Sequence, residues 1–421
     1  MDKFLIKGGR QLKGKVAVSG AKNSVLPLMA AAILGDSETR LKNVPDLVDV
    51  KTMIQLLVSF GCEVKREGRD ILIDPTGINN LTADYEIVRK MRASFFVLGP
   101  LLARFRKAKV SLPGGCAIGP RPVDLHIKGL AALGADLRVE GGYVIAETKG
   151  LKGEEILLLG SKGPSVGATA NVLMASVLAE GKTIIEGAAC EPEILDLANF
   201  LNQMGAKIYG AGTSRVEIEG VKCLKGIEYE PIPDRIEAGT LACAAAITSG
   251  EITITNCRPE HLTSVIEKLK ECGVVIKEGE REILVKGVSD LKPTTITTAP
   301  YPGFPTDMQA QFMALLTLAQ GRSIVTETIF EDRLTHAVEL QRFGAKITIN
   351  KNTAIIDGVE ELTGAPVMAS DLRASASLVL AGLVAKGETI VSRIYHLDRG
   401  YERLEEKLNS LGAEIKRISG D

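Results

Sequence analysis

Apolar and polar positions along the chain repeat with a period of about 70 residues. A helix-like apolar pattern ends six times in an apolar-Gly-small sequence, as in FGCEV, LGADL and LGAEI. The glycines of this pattern are Gly61, Gly134, Gly205, Gly273, Gly344 and Gly412. Glycine past the end of a helix adopts the left-handed conformation that closes the helix. Because a fixed period marks internal repeats, we expect six copies of one unit.

A second glycine precedes five of these six positions and follows an Ala- and Leu-rich segment. These residues are Gly35, Gly181, Gly250, Gly321 and Gly387. Each is expected to close a helix and to tolerate positive φ. The second unit lacks this glycine and has LLARFRKAKV in its place.

Each unit predicts the same order of elements. A helix of small residues (AGTLACAAAITSG) is followed by a β-branched strand (EITITN), an amphipathic helix (HLTSVIEKLKECG) and a hairpin (VVIKEGEREILV). A solenoid is the competing architecture. Units that contain their own strands and helices favour small αβ subdomains, and hence an α/β fold.

Polar residues occupy the N-terminal edge of every first helix, although these helices are otherwise apolar. The positions are Lys22–Asn23, Arg92, Ser165, Asp234–Arg235–Glu237, Asp307–Gln309 and Asp371–Arg373. The second helices show the same feature at Arg121–Asp124, Glu260, Asp332–Arg333 and Asp398–Arg399. Helix N-termini attract anions, and arginine binds carboxylate and phosphate in bidentate fashion. An anion pocket is one interpretation, and helix capping with surface ion pairs is the other.

The segment SLPGGCAIGPRPVDLHIKGL predicts a glycine-rich loop that carries Cys116 close to Arg121. A cysteine beside a cation is a candidate acid or nucleophile with a lowered pKa. The other six cysteines lie in helix or strand patterns and are expected in the core.

Composition excludes several classes of function. The net charge of −1, 4% aromatic residues and the absence of Trp argue against nucleic acid or an anionic membrane as a partner. Seven cysteines without a CxxC pair indicate neither a disulfide framework nor a zinc site, and no metal or organic cofactor is expected. Without a signal peptide pattern or a membrane-length apolar run, we expect a cytoplasmic protein.

Several segments together resemble the UDP-N-acetylglucosamine 1-carboxyvinyltransferases, a family of enolpyruvyl transferases. They are SGAKNSVLPLMAA, MRASFFVLGPLLAR, LPGGCAIGPRPVDLHI, PSVGATAN, PDRIEAGT, PYPGFPTDMQAQF, FEDRLTHAVEL, DLRASASLVLAG and RIYHLDRGYER. The resemblance extends over essentially the full chain. It implies a two-domain inside-out α/β barrel, in which each domain has three repeats around a pseudo-threefold axis. The implied domains are 22–230 and 1–21 plus 231–421, with the active site in the cleft between them.

The resemblance also implies residue roles. The implied catalytic residues are Lys22, Cys116 as general acid, Asp307 as general base and Arg399. Phosphoenolpyruvate would be bound by Lys22, Asn23, Arg121, Arg333 and Arg399, with Arg373 helping to shape the anion pocket. The UDP-sugar would be bound by Asn23, Arg92, Arg121, Pro122, Val123, Asp124, Leu125, Ser165, Val166, Gly167, Asp307 and Ile329.

The implied reaction moves the enolpyruvyl group of phosphoenolpyruvate onto the 3-hydroxyl of UDP-N-acetylglucosamine by addition and elimination. This is the first committed step of peptidoglycan synthesis. Fosfomycin would modify Cys116 covalently, and no obligatory protein partner is implied. Two alternatives stay open at this point: transfer to 3-phosphoshikimate, and a non-catalytic UDP-sugar regulator.

Overall fold

A computed structural model of the chain describes residues 2–113 and 123–419. Cys116, Arg121 and Pro122 therefore lie outside the described residues. The described chain forms two compact units. We call residues 20–113 and 123–232 the N-terminal unit, and residues 2–19 and 233–419 the C-terminal unit. Each unit has its own cluster of buried aliphatic side chains.

The strands are short and run through both units. They are β1 (Lys3–Lys7), β2 (Lys13–Ala17), β3 (Thr39–Leu41), β4 (Glu63–Glu67), β5 (Asp70–Asp74), β6 (Thr82–Ala83), β7 (Lys107–Ser111), β8 (Asp136–Glu140), β9 (Tyr143–Glu147), β10 (Glu155–Leu157), β11 (Leu159–Gly160), β12 (Gly163–Pro164), β13 (Lys182–Glu186), β14 (Lys207–Tyr209), β15 (Arg215–Glu219), β16 (Glu228–Tyr229), β17 (Glu251–Thr255), β18 (Val275–Glu278), β19 (Glu282–Lys286), β20 (Thr295–Thr297), β21 (Arg322–Thr326), β22 (Lys346–Asn350), β23 (Thr353–Asp357), β24 (Pro366–Met368), β25 (Glu388–Ser392) and β26 (Glu414–Ile418).

The helices alternate with these strands. They are α1 (Lys22–Ala31), α2 (Val48–Phe60), α3 (Tyr85–Val88), α4 (Leu98–Phe105), α5 (Asp124–Ala132), α6 (Val166–Ser176), α7 (Pro192–Met204), α8 (Arg235–Ile247), α9 (Thr263–Glu271), α10 (Gln309–Leu316), α11 (Ala337–Gln341), α12 (Leu372–Val384) and α13 (Leu404–Ser410). Short 3-10 segments lie at Ala32–Leu34, Arg92–Val97, Pro259–His261, Thr306–Met308 and Ile394–Arg399.

Six four-stranded sheets form within the described residues, three in each unit. The N-terminal unit has β16-β3-β5-β4, β6-β7-β9-β8 and β10-β13-β15-β14. The C-terminal unit has β2-β17-β19-β18, β20-β21-β23-β22 and β24-β25-β1-β26. In every sheet the first two strands are parallel and the other pairs are antiparallel. The six repeats expected from the glycine spacing therefore correspond to six sheets of one design.

The parallel edge strand of each sheet was not predicted from the sequence pattern, which indicated three strands per unit. Edge strands such as β6 and β16 have only two residues, so no alternation of apolar and polar positions can reveal them. The N-terminal segment also takes part in distant sheets. Strand β2 pairs with β17, and β1 lies between β25 and β26.

The first helix of each repeat is buried because its residues are small and apolar on nearly every face. In α8, every residue from Ile236 to Ile247 is buried. Helices α8, α10 and α12 pack against one another in the C-terminal unit. The second helices are amphipathic, as α9 shows with Val265, Ile266 and Leu269 buried and its lysines directed to solvent. Among the described residues, none of the helices combines the length and hydropathy needed to cross a membrane.

The helix-closing role of the first glycine marker is confirmed, since all six residues have φ between 88° and 112°. The second marker is wrong at two positions. Gly35 has φ −73°, and the left-handed residue near Gly250 is its neighbour Ser249. Gly250 is instead required by close approach, because an added Cβ would lie 2.3 Å from the Leu12 carbonyl oxygen. In the second repeat, Arg106 takes the left-handed position without a glycine.

The prediction that six cysteines are core residues holds for Cys62, Cys243, Cys257 and Cys272. It is wrong for Cys223, which is exposed, while Cys190 is only half-buried. Cys223 precedes Leu224, whose side chain is fully buried.

Candidate active site

Asp307 lies between two buried arginines in the C-terminal unit. Arg333 Nη2 donates to Asp307 Oδ1 at 2.7 Å, and Arg373 Nη2 donates to Oδ2 at 2.9 Å. The Asp307 side chain is 25% exposed, whereas Arg333 and Arg373 are 7% and 2% exposed. The carboxylate is thus fixed from behind by both guanidinium groups and keeps one face open.

The two arginines determine the charge of this carboxylate. Burial raises the pKa of Asp307, but Arg373 and Arg333 outweigh burial and hold that pKa well below its usual range. Asp307 is therefore ionised at neutral pH. Its two oxygens still have lone pairs beyond those that accept from the arginines.

The loop after β21 supports Arg333. Arg333 Nη1 donates to Thr306 Oγ1 at 2.8 Å, and the Thr306 hydroxyl donates to Glu327 Oε2 at 2.7 Å. The other oxygen of Glu327 accepts from the backbone N–H of Ile329 at 2.7 Å. Through Glu327, which is buried, the predicted site residue Ile329 is tied to the same cluster as Asp307 and Arg333.

A neutral network lies on the other side of Arg373. The Arg373 guanidinium stands over the Tyr401 ring, with its Cζ 5.2 Å from the ring centroid. The Tyr401 hydroxyl is 2.8 Å from Thr240 Oγ1 and accepts from Gln311 Nε2 at 3.1 Å. Gln311 also donates to the backbone oxygen of Asp307 at 3.0 Å. Side chains of α8, α10 and α12 therefore act together to fix the position of Asp307.

Lys22 is paired with a buried carboxylate in the N-terminal unit. It is the first residue of α1, and its Nζ lies 2.7 Å from Asp49 Oδ2 in the first turn of α2. The side chain of Asp49 is 3% exposed and that of Lys22 is 13% exposed. The neighbouring residue Asn23 is exposed. The pair fixes the ammonium group at the beginning of α1.

A second group of predicted residues meets at the beginning of α6. Ser165 is the N-cap of this helix and accepts from the Ala168 N–H at 3.3 Å, and Val166 and Gly167 form the first turn. Helix α5, which begins with Asp124 and Leu125, packs against α6. Its residue His126 lies against Gly167, where an added Cβ would be 3.1 Å from the ring.

Arg92 begins the 3-10 segment Arg92–Val97, which packs against both α1 and α6. Burial, and then the charge of Arg92, lowers the pKa of His126 to about 3. Val123 directly precedes α5, and Arg399 ends the 3-10 segment Ile394–Arg399 of the C-terminal unit.

The structure thus groups the predicted residues by unit. One set is Asp307, Ile329, Arg333 and Arg373, and the other is Lys22, Asn23, Arg92, Val123, Asp124, Leu125, Ser165, Val166 and Gly167. The capping interpretation holds for Asp234 and Asp371, whose carboxylates accept from the first N–H groups of α8 and α12. It does not hold for Asp307, whose carboxylate binds arginines instead.

Several polar residues of these clusters were missed in the sequence. Asp49 carried a usable signal, because it is an acidic residue at the start of a second helix, like Asp332 and Asp398 in later repeats. Glu327, Gln311 and Tyr401 carried none. Gln311 stands in the apolar helix segment QAQFMALL, whereas Glu327 and Tyr401 stand among other polar residues, in VTETI and DRGYER, from which the pattern does not distinguish them.

Comparison with known proteins adds to this geometry. A family model described as EPSP synthase (3-phosphoshikimate 1-carboxyvinyltransferase) matches residues 6–408. The chain belongs to this family of enolpyruvyl transferases. The resemblance found in the sequence motifs is therefore confirmed.

Relatives within the family match the whole chain. The UDP-N-acetylglucosamine 1-carboxyvinyltransferase of Desulfosudis oleivorans is 54% identical over 419 residues, which is 100% of both chains. That of Geotalea uraniireducens is 55% identical over 418 residues, covering 99% of this chain and 100% of the relative.

Solved structures of the family share the fold. The enolpyruvyl transferase NikO from Streptomyces tendae superposes with a TM-score of 0.90 at 25% identity, covering 100% of this chain and 99% of NikO. An EPSP synthase from Acinetobacter baumannii gives a TM-score of 0.76 at 20% identity, with both chains fully covered. The mixed α/β fold expected from the sequence is thus confirmed.

Proposed function

We propose that this protein transfers the enolpyruvyl group of phosphoenolpyruvate to the 3-hydroxyl of UDP-N-acetylglucosamine and releases phosphate. The observation that carries the proposal is identity of about 55% over the whole length to relatives named for that reaction. The reaction would make the protein a cytoplasmic enzyme that begins peptidoglycan synthesis.

The arrangement of Asp307 supports a role as general base. The carboxylate is ionised, is positioned by two arginines, and keeps an exposed face on which a hydroxyl can donate. A positioned base of this kind accelerates proton transfer by about 10²–10⁴-fold.

The low pKa of Asp307 also constrains the order of events. A carboxylate with a low pKa is a weak base. It cannot remove the proton from a free sugar hydroxyl, because the hydroxyl is a far weaker acid than the protonated form of Asp307. The hydroxyl becomes acidic only while its oxygen forms a bond to the carbon of phosphoenolpyruvate. We therefore propose that Asp307 accepts the proton as this C–O bond forms, after the methylene carbon has been protonated.

The proton on the methylene would come from Cys116, which the family resemblance names as general acid. Lys22, Asn23, Arg121, Arg333 and Arg399 would bind phosphoenolpyruvate. The Lys22–Asp49 pair supports part of this assignment, because a fixed ammonium group stabilises charge that builds on a leaving phosphate. The UDP-sugar would be bound by the residues that precede α5, the first turn of α6, Arg92, Asp307 and Ile329.

We further propose that each unit is an inside-out α/β barrel with its three repeats around a pseudo-threefold axis. The buried first helices and the three similar sheets of each unit support this interpretation. The expected domain limits, and an active site in a cleft between the domains, stay predictions.

The test is release of inorganic phosphate from phosphoenolpyruvate in the presence of either UDP-N-acetylglucosamine or 3-phosphoshikimate. We expect release only with the UDP-sugar, and mass spectrometry should find its enolpyruvyl ether. Release only with 3-phosphoshikimate would establish the rival transferase. Binding of the UDP-sugar without release would establish a regulator.

Fosfomycin provides a second measurement in the same assay. It is expected to inactivate the enzyme progressively and to add one inhibitor mass to the peptide that contains Cys116, because a thiolate beside a cation opens an epoxide. Cys116→Asp should keep turnover and resist inactivation, since a carboxylic acid can still donate a proton. An adduct on another cysteine would contradict the role given to Cys116.

A further inference from the structure

Arg417 lies on the last strand, β26, and has no part in the proposed reaction. Its guanidinium group uses all three of its nitrogen atoms on two carboxylates. Nη2 donates to Asp398 Oδ1 at 2.7 Å, Nη1 donates to Asp398 Oδ2 at 2.9 Å, and Nε donates to Glu405 Oε1 at 2.8 Å. A bidentate pair between arginine and a carboxylate fixes the orientation of the carboxylate as well as its position.

The guanidinium group of Arg417 is also held by other elements. Arg417 is directly opposite Phe4 in the pairing of β26 with β1, and its Cζ lies 5.1 Å from the centroid of the Phe4 ring. Phe4 is fully buried, and Glu405 is a buried residue in the first turn of α13. Strand β1 and helix α13 therefore fix the arginine independently of Asp398.

Asp398 directly precedes Arg399, which the proposed function assigns to phosphoenolpyruvate. Both residues belong to the 3-10 segment Ile394–Arg399, which packs against α12. A Cβ added to Gly400 would lie 2.6 Å from Leu372 Cδ2. The end of the segment is thus in close contact with the first residue of α12.

A second fixed residue, Tyr401, follows Arg399. Its backbone N–H donates to the Leu397 carbonyl oxygen at 3.0 Å. Its hydroxyl group is hydrogen-bonded with Thr240 and Gln311. Arg399 therefore stands between a residue that is fixed by an ion pair and one that is fixed by neutral hydrogen bonds.

The fifth repeat contains the same Asp-Arg sequence with a different support. Counted from the helix-closing glycine of each repeat, Ile349 takes the place of Arg417. Arg333 of the fifth repeat has its own hydrogen bonds to Asp307 and Thr306. The ion pair made by Arg417 is thus a feature of the sixth repeat and not of the repeated design.

The exposure of this ion pair argues against a role in stability alone. The side chains of Arg417 and Asp398 are 31% and 28% exposed. Ion pairs with this exposure contribute little to the free energy of unfolding, because water screens them. The bidentate geometry still restricts the orientation of Asp398, and hence of the backbone that continues into Arg399.

We propose that Arg417 is a positioning residue for Arg399 and that it acts by fixing Asp398. Arg399 then meets its anionic substrate in one orientation, and less binding energy is lost in ordering it. This assignment rests on the proposed function, because that function supplies phosphoenolpyruvate as the ligand of Arg399.

Substitutions of the two carboxylates separate positioning from stabilisation of the end of the chain. Asp398→Asn weakens the contact with the segment of Arg399, and we expect it to raise KM for phosphoenolpyruvate about 10-fold, since a small displacement of a binding group has a large effect. Glu405→Gln is the matched control in the same cluster. It should change this KM by less than about twofold, because its amide oxygen can still accept from Arg417.

Arg417→Lys tests the same path from the other side. It keeps the positive charge but loses the bidentate geometry, so it should also raise KM for phosphoenolpyruvate. The double variant Asp398→Asn with Arg417→Lys should have the KM of Asp398→Asn alone, because both changes break one connection. Isothermal titration calorimetry should give the wild-type dissociation constant for UDP-N-acetylglucosamine in each variant, and thermal unfolding shows whether each is folded.

The outcomes are distinguishable. An unchanged KM for phosphoenolpyruvate in folded Asp398→Asn, or in folded Arg417→Lys if Asp398→Asn does not fold, overturns the positioning role and leaves the transferase function standing. Equal increases in Asp398→Asn and Glu405→Gln, a parallel loss of affinity for the UDP-sugar, or single effects that multiply in the double variant also overturn it. Wild-type protein that releases no phosphate with the UDP-sugar overturns both proposals.

Discussion

The two units hold their polar residues in opposite ways. In the C-terminal unit, Asp307 is fixed by ionised groups, Arg333 and Arg373. In the N-terminal unit, His126 and Asn171 are neutral and are fixed by hydrogen bonds. Both networks connect consecutive repeats through the buried first helices, α10 and α12 in one unit and α4 and α6 in the other.

The difference shows what each form of burial provides. An ion cluster sets a protonation state strongly, since each neighbouring charge shifts the pKa by one to three units. A neutral network sets the direction of a donor without adding charge, and it keeps its state across physiological pH. Proton transfer by Asp307 needs the first property, and the second property keeps the buried His126 side chain neutral beside Arg92.

Removal of the negative charge of Asp307 should have the largest effect on turnover. Asp307→Asn keeps the size of the side chain but removes the base, so we expect kcat to fall by about 10²–10⁴-fold. The rate of phosphate release from phosphoenolpyruvate in the presence of UDP-N-acetylglucosamine measures this kcat. A variant that retains half of the normal rate would remove Asp307 from the mechanism.

A matched control exists in the same unit. Asp357 also binds an arginine, since Arg322 Nε donates to it at 2.7 Å, but this pair is on the surface. Asp357→Asn should leave kcat unchanged. Thermal unfolding of both variants is needed as well, because two buried guanidinium groups without their carboxylate cost on the order of 1–3 kcal/mol after allowing for the exposure of Asp307.

The sequence predicted the parts of the fold that repeat. Glycines such as Gly61 and Gly412 have one conformational purpose, so their spacing revealed the number of repeats. Gly250 is required for another reason, its close contact with the Leu12 carbonyl oxygen. The prediction that it adopts a left-handed conformation was therefore wrong. Strands of two residues, and the pairing of β2 with β17, depend on contacts that a local pattern does not contain.

The same division applies to the site. Charged residues at helix starts, such as Asp307 and Arg373, stand out against an apolar pattern and were predicted. Asn171 and Gln311 lie within buried helices, where one polar residue looks like an ordinary variation of composition. Only the folded chain brings them to His126 and Tyr401.

The Lys22–Asp49 pair tests whether a charged pair also has a role in the N-terminal unit, which contains the neutral network of His126 and Asn171. Asp49→Asn should raise KM for phosphoenolpyruvate and lower kcat/KM by about 10-fold or more, since a hydrogen bond between charged groups is lost. Steady-state kinetics with phosphoenolpyruvate as the varied substrate measures this.

Asp46 is the matched control for Asp49. It lies close to the start of the same helix and pairs with Lys51 at 3.0 Å, but it is exposed. Asp46→Asn should change kcat/KM by less than about threefold, as expected for a surface ion pair. Equal effects of the two substitutions would show that Asp49 acts only through general charge and not by fixing Lys22.

The smallest expected effect concerns stability at mildly acidic pH. The pKa of His126 is lowered to about 3 in the folded chain, whereas an unfolded histidine titrates near its usual value of 6.5. The unfolded state therefore binds more protons below pH 6.5, and folding loses about 2 kcal/mol from this residue between pH 7 and pH 5. Asp307 does not contribute in this window, because a lowered carboxyl pKa costs stability only below about pH 4.

The measurement is the unfolding free energy from urea titrations at pH 7 and pH 5. Wild type should lose more stability than His126→Gln between these values, and the difference should be about 2 kcal/mol. His336, whose pKa burial lowers to about 4 in the C-terminal unit, should behave in the same direction, so His336→Gln tests whether the effect belongs to buried histidines in general. If His126→Gln and wild type lose the same amount, His126 is protonated in the folded chain at pH 5. The contrast between a charged cluster and a neutral network would then fail below that pH.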